Sequence, residues 1–192
     1  MKNIVIFASG NGSNAQRIAE YLAYREDVTI KRIYCNKPDA YVLTRARNLG
    51  IASRVFSRHE FYESGEVLQN LIADNPDLIV LAGFLWKVPD PVVQHFSGRI
   101  VNIHPALLPK YGGKGMYGSR VHEAVIQSGD KRSGITIHLV NDKYDEGEII
   151  FQASCPVTAD DTPESLAARV HALEYAHFPV EIEKLLFNQA GN

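Results

Sequence analysis

Three short stretches carry the residues best suited to chemistry. The first is Asn102-Ile103-His104-Pro105-Ala106-Leu107-Leu108-Pro109, which continues the apolar run Ile100-Val101. An imidazole and a primary amide two residues apart on a strand share a face, because side chains alternate with period two. His104 can give or take a proton near neutral pH, and Asn102 offers a neutral donor and acceptor beside it. Pro105 and Pro109 fix their own φ and push His104 and Leu108 towards extended conformations. The pair is thus a proton-handling and hydrogen-bonding group on a stiff support. A polar strand end capped by a Pro-rich loop would account for the same string without any chemistry.

The second stretch is Ser9-Gly10-Asn11-Gly12-Ser13-Asn14-Ala15. Its glycines let the backbone approach a ligand closely, and a helix starting there aims free N–H groups at it, which suits a phosphate. The string also fits Gly-x-Gly-x-x-Ala, a dinucleotide fingerprint. That fingerprint wants an acid at the end of the next strand to hold a ribose. The chain has Cys35-Asn36-Lys37 there, with Asp39 slightly beyond, which weighs against a dinucleotide. A phosphate monoester site and an unliganded tight turn both stay open. The third stretch, Asn141-Asp142-Lys143-Tyr144-Asp145-Glu146-Gly147-Glu148, is an acidic turn of a kind that is usually only solvated. An acid from it lying close to His104 would orient the imidazole or raise its basicity.

The elements that must position these groups follow from apolar periodicity. Strands are predicted over Asn3 to Ala8, Val28 to Cys35, Ile51 to Phe56 and Leu78 to Ala82, with another delivering Asn102 and His104. Helices are predicted over Ala15 to Tyr24, Tyr41 to Leu49, Phe61 to Ala73 and about Val92 to Phe96. In the third of these, Val67, Leu68, Leu71 and Ile72 share a side. Leu78 to Ala82 is almost wholly apolar, as in a central parallel strand covered on both faces. This βαβα alternation predicts an α/β fold, an open and mostly parallel twisted sheet with helices on both faces.

The second half reads differently. Gly112 to Gly118 is a Gly-rich flap, and a helix is expected near Val121 to Ser128. Strands at about Ile135 to Val140 and Ile149 to Ala153, joined by the acidic turn, predict an antiparallel addition to the sheet. A last helix starts at Thr162 with Pro163 in its first turn, turns Leu166, Val170, Leu173 and Val180 to the core, and runs to about Phe187. Ligands of such sheets bind beyond the carboxyl ends of the strands. The Gly-rich turn and Asn102/His104 both lie at such ends and are expected to face one cleft.

Bulk properties narrow the function classes. The chain has 192 residues, 45% hydrophobic and 22% charged, with a formal net charge of −2. That length predicts one domain, 1–192. The charge argues against a general nucleic-acid binder. Cys35 and Cys155 have neither metal-ligand nor redox spacing and read as buried reduced thiols, so no metal is expected. No apolar run reaches the length of a membrane span, and the apolar start is cut short by Gly10 to Asn14, too early for a signal peptide. A cytoplasmic protein is expected; its oligomeric state is left open.

Together these motifs resemble the folate-dependent formyltransferases. Asn102-Ile103-His104-Pro105-x-Leu107-Leu108-Pro109 marks the wider superfamily, and Ser9-Gly10-x-Gly12-Ser13-Asn14 narrows the resemblance to the glycinamide ribonucleotide transformylases. Asn36-Lys37-x-Asp39-Ala40, Leu81-Ala82-Gly83-Phe84 and Asp145-x-Gly147 before Ile149-Ile150-x-Gln152 extend it over nearly the whole chain. The resemblance implies formyl transfer from 10-formyltetrahydrofolate to the amine of glycinamide ribonucleotide, in de novo purine biosynthesis. It also implies a phosphate and substrate half over about 1–100 and a catalytic and folate half over about 101–192.

Residue roles carry over in the same way. Asn102, His104 and Asp145 match the catalytic positions, with the Asn102 amide and a protonated His104 stabilising the oxyanion. Asp145 would keep His104 charged and help shuttle protons. Gly12, Ser13 and Asn14 match phosphate and ribose contacts, and Glu174, with His171 one turn earlier, matches the ribose side. Leu85-Trp86-Lys87-Val88 matches the hinge whose backbone reads the pterin, and Arg58 an arginine that meets the folate's glutamate tail. The chain departs from the commoner pattern in the long Lys110-to-Gly118 segment and in Trp86-Lys87. It departs also at Glu146, where glycine is frequent, which leaves Asp142 as a rival acid to Asp145.

Overall fold

Alternation along β1 (Lys2–Ala8) divides the core in two. Ile4, Ile6 and Ala8 point into one cluster and Val5 and Phe7 into the other, all almost wholly buried. The computed structural model describes residues 1–187; positions 188–192 of the expected domain lie outside the described residues. Beside β1 run β2 (Val28–Cys35), β3 (Ser53–Val55), β4 (Leu78–Leu81) and β5 (Ile100–His104), then β6 (Arg132–Leu139) and β7 (Ile149–Pro156). They form one seven-stranded sheet in the order β3-β2-β1-β4-β5-β6-β7. The pairs from β3 to β5 are parallel, and β5/β6 and β6/β7 are antiparallel, as expected.

Helices cover both faces. On the Ile4 side lie α1 (Ser13–Leu22), α2 (Val42–Asn48), α6 (Ser119–Ser128) and α7 (Pro163–Phe187), through Ile18, Val42, Val125, Val170 and Ile182 among others. On the Val5 side lie α3 (Arg58–Tyr62), α4 (Glu66–Asp74) and α5 (Asp90–His95), through Phe61, Val67, Leu71, Val92 and Val93. Each fully buried aliphatic or aromatic side chain contributes roughly 1.5–3 kcal/mol, so both faces are needed to hold the strands. Among the described residues, no helix is long and apolar enough to cross a membrane.

Several boundaries differ from the sequence expectation. The helix expected over Phe61 to Ala73 is two helices. Ser57 caps α3 in a capping box with Glu60, and Gly65, at φ 71°, starts α4 afresh. Within α4, Val67 and Leu71 are buried, whereas Ile72, expected on the same side, is 39% exposed. The strand expected over Ile51 to Phe56 pairs only at Ser53–Val55, because it is a sheet edge with one neighbour. Strands β6 and β7 are longer than expected, since their pairing runs from Arg132↔Pro156 onwards. In α7 Val180 is only half-buried, and Phe178, Pro179 and Ile182 fill the core there.

Candidate active site

Strand order reverses between β1 and β4, so the loops leaving these two strands diverge and open a crevice. They are tied together at its floor. Ala82 N–H donates to Phe7 O at 2.9 Å, Ser9 N–H to Gly83 O at 3.1 Å, and Leu85 N–H to Ser9 Oγ at 3.0 Å. The crevice is a cavity of about 700 Å³. The loop Gly10–Asn14, the segment Gly83–Val88, Asn102, His104, Asp145, His171 and Glu174 all line it. The single cleft expected from the strand ends is therefore present.

Asn102 and His104 end β5 facing the antiparallel strand β6, where their cross-strand partners are His138 and Thr136. The Pro-rich loop that follows is braced from β6 and β7. Leu108 N–H donates to Thr136 Oγ1 (2.9 Å), Thr136 Oγ1 to Ala106 O (2.7 Å), and Gln152 Nε2 to Leu108 O (3.1 Å). The Leu108–Pro109 peptide is cis. His104 is 4% exposed, and its Nε2 lies 2.7 Å from Tyr111 O. A carbonyl only accepts, so Nε2 carries the proton and a neutral ring has its lone pair on Nδ1. That lone pair faces Asp145 Oδ2 at 3.7 Å, too long for a direct hydrogen bond. Two acceptors thus confront each other across a gap suited to a proton.

Asp145 is also held from elsewhere. Gly113 N–H donates to its Oδ2 at 2.9 Å, and its Oδ1 lies 3.6 Å from His138 Nε2. Burial pushes the carboxyl's pKa up, but His138, the Gly113 N–H and His104 outweigh it, and the net shift is downward. His104 shifts downward as well, because burial outweighs the attraction of Asp145 and the Tyr111 carbonyl. The protonated His104 expected from the sequence is not the form this environment favours. Tyr111 and Asp145 both have positive φ, 58° and 53°. Non-glycine residues adopt this conformation at some cost, and here it aims the carbonyl and the carboxylate at one imidazole.

The Gly-rich turn begins α1 in the way a bound anion requires. Gly12 adopts φ 75°, ψ 22°, and the first-turn N–H groups from Ser13 onward have no intrahelical partners. A Cβ on Gly12 would overlap Val42 Cγ2 and stand 2.9 Å from Val42 Cα. Gly12→Ala is expected to push the loop off α2 and weaken a phosphorylated ligand by at least about tenfold, read by calorimetry. Unchanged affinity would show that the loop does not hold the phosphate. Across the cavity Asn14 Nδ2 donates to Glu174 Oε2 at 2.8 Å. Glu174 is 6% exposed, and burial raises its pKa against the opposing effects of Asn14 and His171.

The other expected residues are placed as follows. Leu85, Trp86, Lys87 and Val88 line the cavity, but Leu85 N–H and Lys87 O are taken by Ser9 and by the Tyr62 hydroxyl (2.8 Å), which leaves the peptide groups between them to a ligand. Arg58 is not brought into the wall; it is exposed, with its guanidinium over the Tyr62 and Trp86 rings at 4.9 and 5.8 Å. Asp142 is exposed and outside the wall, so Asp145 is the acid near His104. The Gly-rich segment lines the cavity from Gly113 to Gly118.

Two residues of the site escaped the sequence reading. His138 Nδ1 lies 2.9 Å from Leu139 O, so its Nε2 is free to accept from the Asn102 amide at 3.1 Å. It fixes which way Asn102 points. An imidazole inside the apolar run of β6 was the available signal. His122, on α6, is 3% exposed and its Nδ1 has no partner among the described residues. Burial, with His171 and His104 nearby, pushes its pKa down to about 4. Its place in the cavity wall depends on how α6 packs, which periodicity alone does not give.

The sequence matches the family model described as formyl transferase over residues 2–182. It is 38% identical over 186 residues to the phosphoribosylglycinamide formyltransferase of Escherichia coli, covering 94% of this chain and 85% of that one. Among solved structures, the phosphoribosylglycinamide formyltransferase of Streptococcus pneumoniae superposes with a TM-score of 0.85 at 38% identity, covering 96% of this chain and 99% of that one. The enzyme of the same name from Anaplasma phagocytophilum gives a TM-score of 0.88 at 32% identity, covering 97% and 88%.

Proposed function

The chain belongs to the formyl transferase family, and we propose that it transfers the formyl group of 10-formyltetrahydrofolate to the amine of glycinamide ribonucleotide, a step of de novo purine biosynthesis. One observation carries this reading. An anion-type loop, a folate-type hinge and an Asn102/His104/Asp145 group with a buried imidazole line the same cavity, whose volume of about 700 Å³ lies in the range of small-molecule sites. The loop Gly12–Asn14 takes the phosphate, and Glu174 and His171 take the ribose side. The segment Leu85–Val88 takes the pterin, while Arg58 meets the glutamate tail outside the cavity.

The chemistry is acyl transfer without an enzyme-bound intermediate. The substrate amine attacks the formyl carbon, the carbonyl oxygen becomes an oxyanion, and the bond from that carbon to the folate nitrogen then breaks. The Asn102 amide, oriented by His138, donates to the oxyanion. The gap between His104 Nδ1 and Asp145 receives the proton that the amine loses and returns it to the departing folate nitrogen, so no net proton is consumed. A metal is not required for any of these transfers. Positions 1–192 act as one formyltransferase domain. The hinge at Leu85–Val88 belongs to its first half and His104 to its second, so neither half is a complete site. The free, buried thiols of Cys35 and Cys155 support a cytoplasmic setting.

The test is to mix the protein with both substrates and follow tetrahydrofolate formation. Turnover that depends on the ribonucleotide supports the reading. Tetrahydrofolate released equally well without it would point to hydrolysis, and a folded protein with no turnover would remove the enzyme assignment. Glu174→Ala is expected to raise KM for the ribonucleotide roughly tenfold or more, since a buried carboxylate with its hydroxyl partners is lost, and to leave the folate KM within about twofold. A shift in the folate KM alone would place Glu174 on the wrong substrate.

A further inference from the structure

We propose that helix α2 is the mould of the anion-binding loop and that Arg45 is its positioning residue, acting on the phosphate of the substrate through the backbone of Asn11 and Gly12. The inference rests on the phosphate reading of that loop. Arg45 does not line the cavity, whereas every residue from Gly10 to Asn14 does.

The argument begins with two carbonyls. Gly10 O accepts from Val42 N–H at 3.1 Å, and Asn11 O accepts from Arg45 Nε at 2.9 Å. Both donors belong to α2. In a trans peptide the C=O and the N–H that follows it point in opposite directions within one plane. Tying the carbonyls of Gly10 and Asn11 to α2 therefore turns the N–H groups of Asn11 and Gly12 away from it. Among the described residues neither N–H donates to a protein acceptor. They join the unpartnered first-turn N–H groups of α1, and successive backbone N–H groups converging in this way form an anion-binding concavity.

Arg45 is fully committed to this arrangement. Its Nη2 donates to Asn11 Oδ1 at 2.8 Å, its Nη1 donates to Gln16 Oε1 on α1, and its guanidinium carbon lies 4.9 Å from the Tyr41 ring centroid. The fork thus spans the loop and the first turn of the helix that follows. Direct contact of Gly12 with Val42 closes the mould on its other side. A lysine could supply the charge of Arg45 but not three directed nitrogens. Replacing arginine by lysine therefore separates positioning from simple attraction.

The test compares glycinamide ribonucleotide with its dephosphorylated riboside on wild type, Arg45→Lys and Arg45→Met, by calorimetry and steady-state kinetics. Wild type is expected to bind the phosphorylated ligand much more tightly. Both variants should lose about tenfold to a hundredfold of that affinity, since hydrogen bonds to a charged group are at stake. Riboside affinity, kcat and the folate KM should stay within about twofold. Thermal melts confirm folding, and Arg45→Gln, uncharged and shorter, replaces the methionine variant if that one does not fold. Undiminished phosphate discrimination in the variants would overturn the proposal, as would full rescue by lysine. A wild type that binds both ligands equally would instead overturn the phosphate reading.

Discussion

His104→Ala is expected to lower kcat by about 10³-fold while changing the Kd of the ribonucleotide by no more than about threefold. The size follows from what is lost. The imidazole is 4% exposed, anchored by Tyr111 O at 2.7 Å, and turns its other nitrogen to Asp145. Alanine removes the acceptor side of the proton gap and leaves the Asp145 carboxylate facing an empty volume that water will enter. The phosphate loop stands on β1 and α2 and does not touch His104, so binding of the ribonucleotide should survive. The measurement is kcat against Kd with both substrates saturating in turn. Equal losses in the two would make His104 a binding residue. Because a neutral ring is what burial favours, wild-type activity should rise with pH through a midpoint below the ordinary histidine value of 6.5.

Much of this site was legible in the chain because its parts are local. Asn102 and His104 share a strand face by period two, and the turn from Ser9 to Asn14 declares a close backbone approach by its glycines. Strand order then brings the two together, since β1, β4 and β5 run parallel and put their carboxyl ends on one side of the sheet. The failures are of another kind. His138 becomes part of the site only through the register Asn102↔His138, which single-strand periodicity does not contain. The break between α3 and α4 was written in Ser57-x-x-Glu60 and Gly65, but the apolar repeat of Val67 and Leu71 masked it. The charge state of His104 was misread for an energetic reason. An acid nearby raises a histidine's pKa, and only burial, a property of the whole fold, shows that desolvation wins.

Asp145→Asn isolates that balance and should lower kcat by about 10²-fold or more, with both substrates still bound. Asparagine keeps an oxygen for the Gly113 N–H and nearly the same volume, so the loop from Asn141 to Glu148 should hold its place. Gly147 supports this, because it is packed so tightly on β6 that a Cβ there would overlap Leu139 O, leaving the loop little room to move. What asparagine cannot do is share a proton with His104 Nδ1 as a carboxylate does. The sign of the accompanying pH effect is fixed. Asp145 raises the His104 pKa, and burial already holds it below 6.5, so removing the charge lets it fall further. The acidic limb of the kcat profile should move to lower pH, with the plateau reduced. A limb that moved upward would mean that Asp145 does not act on His104. An unchanged plateau would mean that the proton crosses the cavity by water alone, with Asn102, oriented by His138, left to hold the oxyanion.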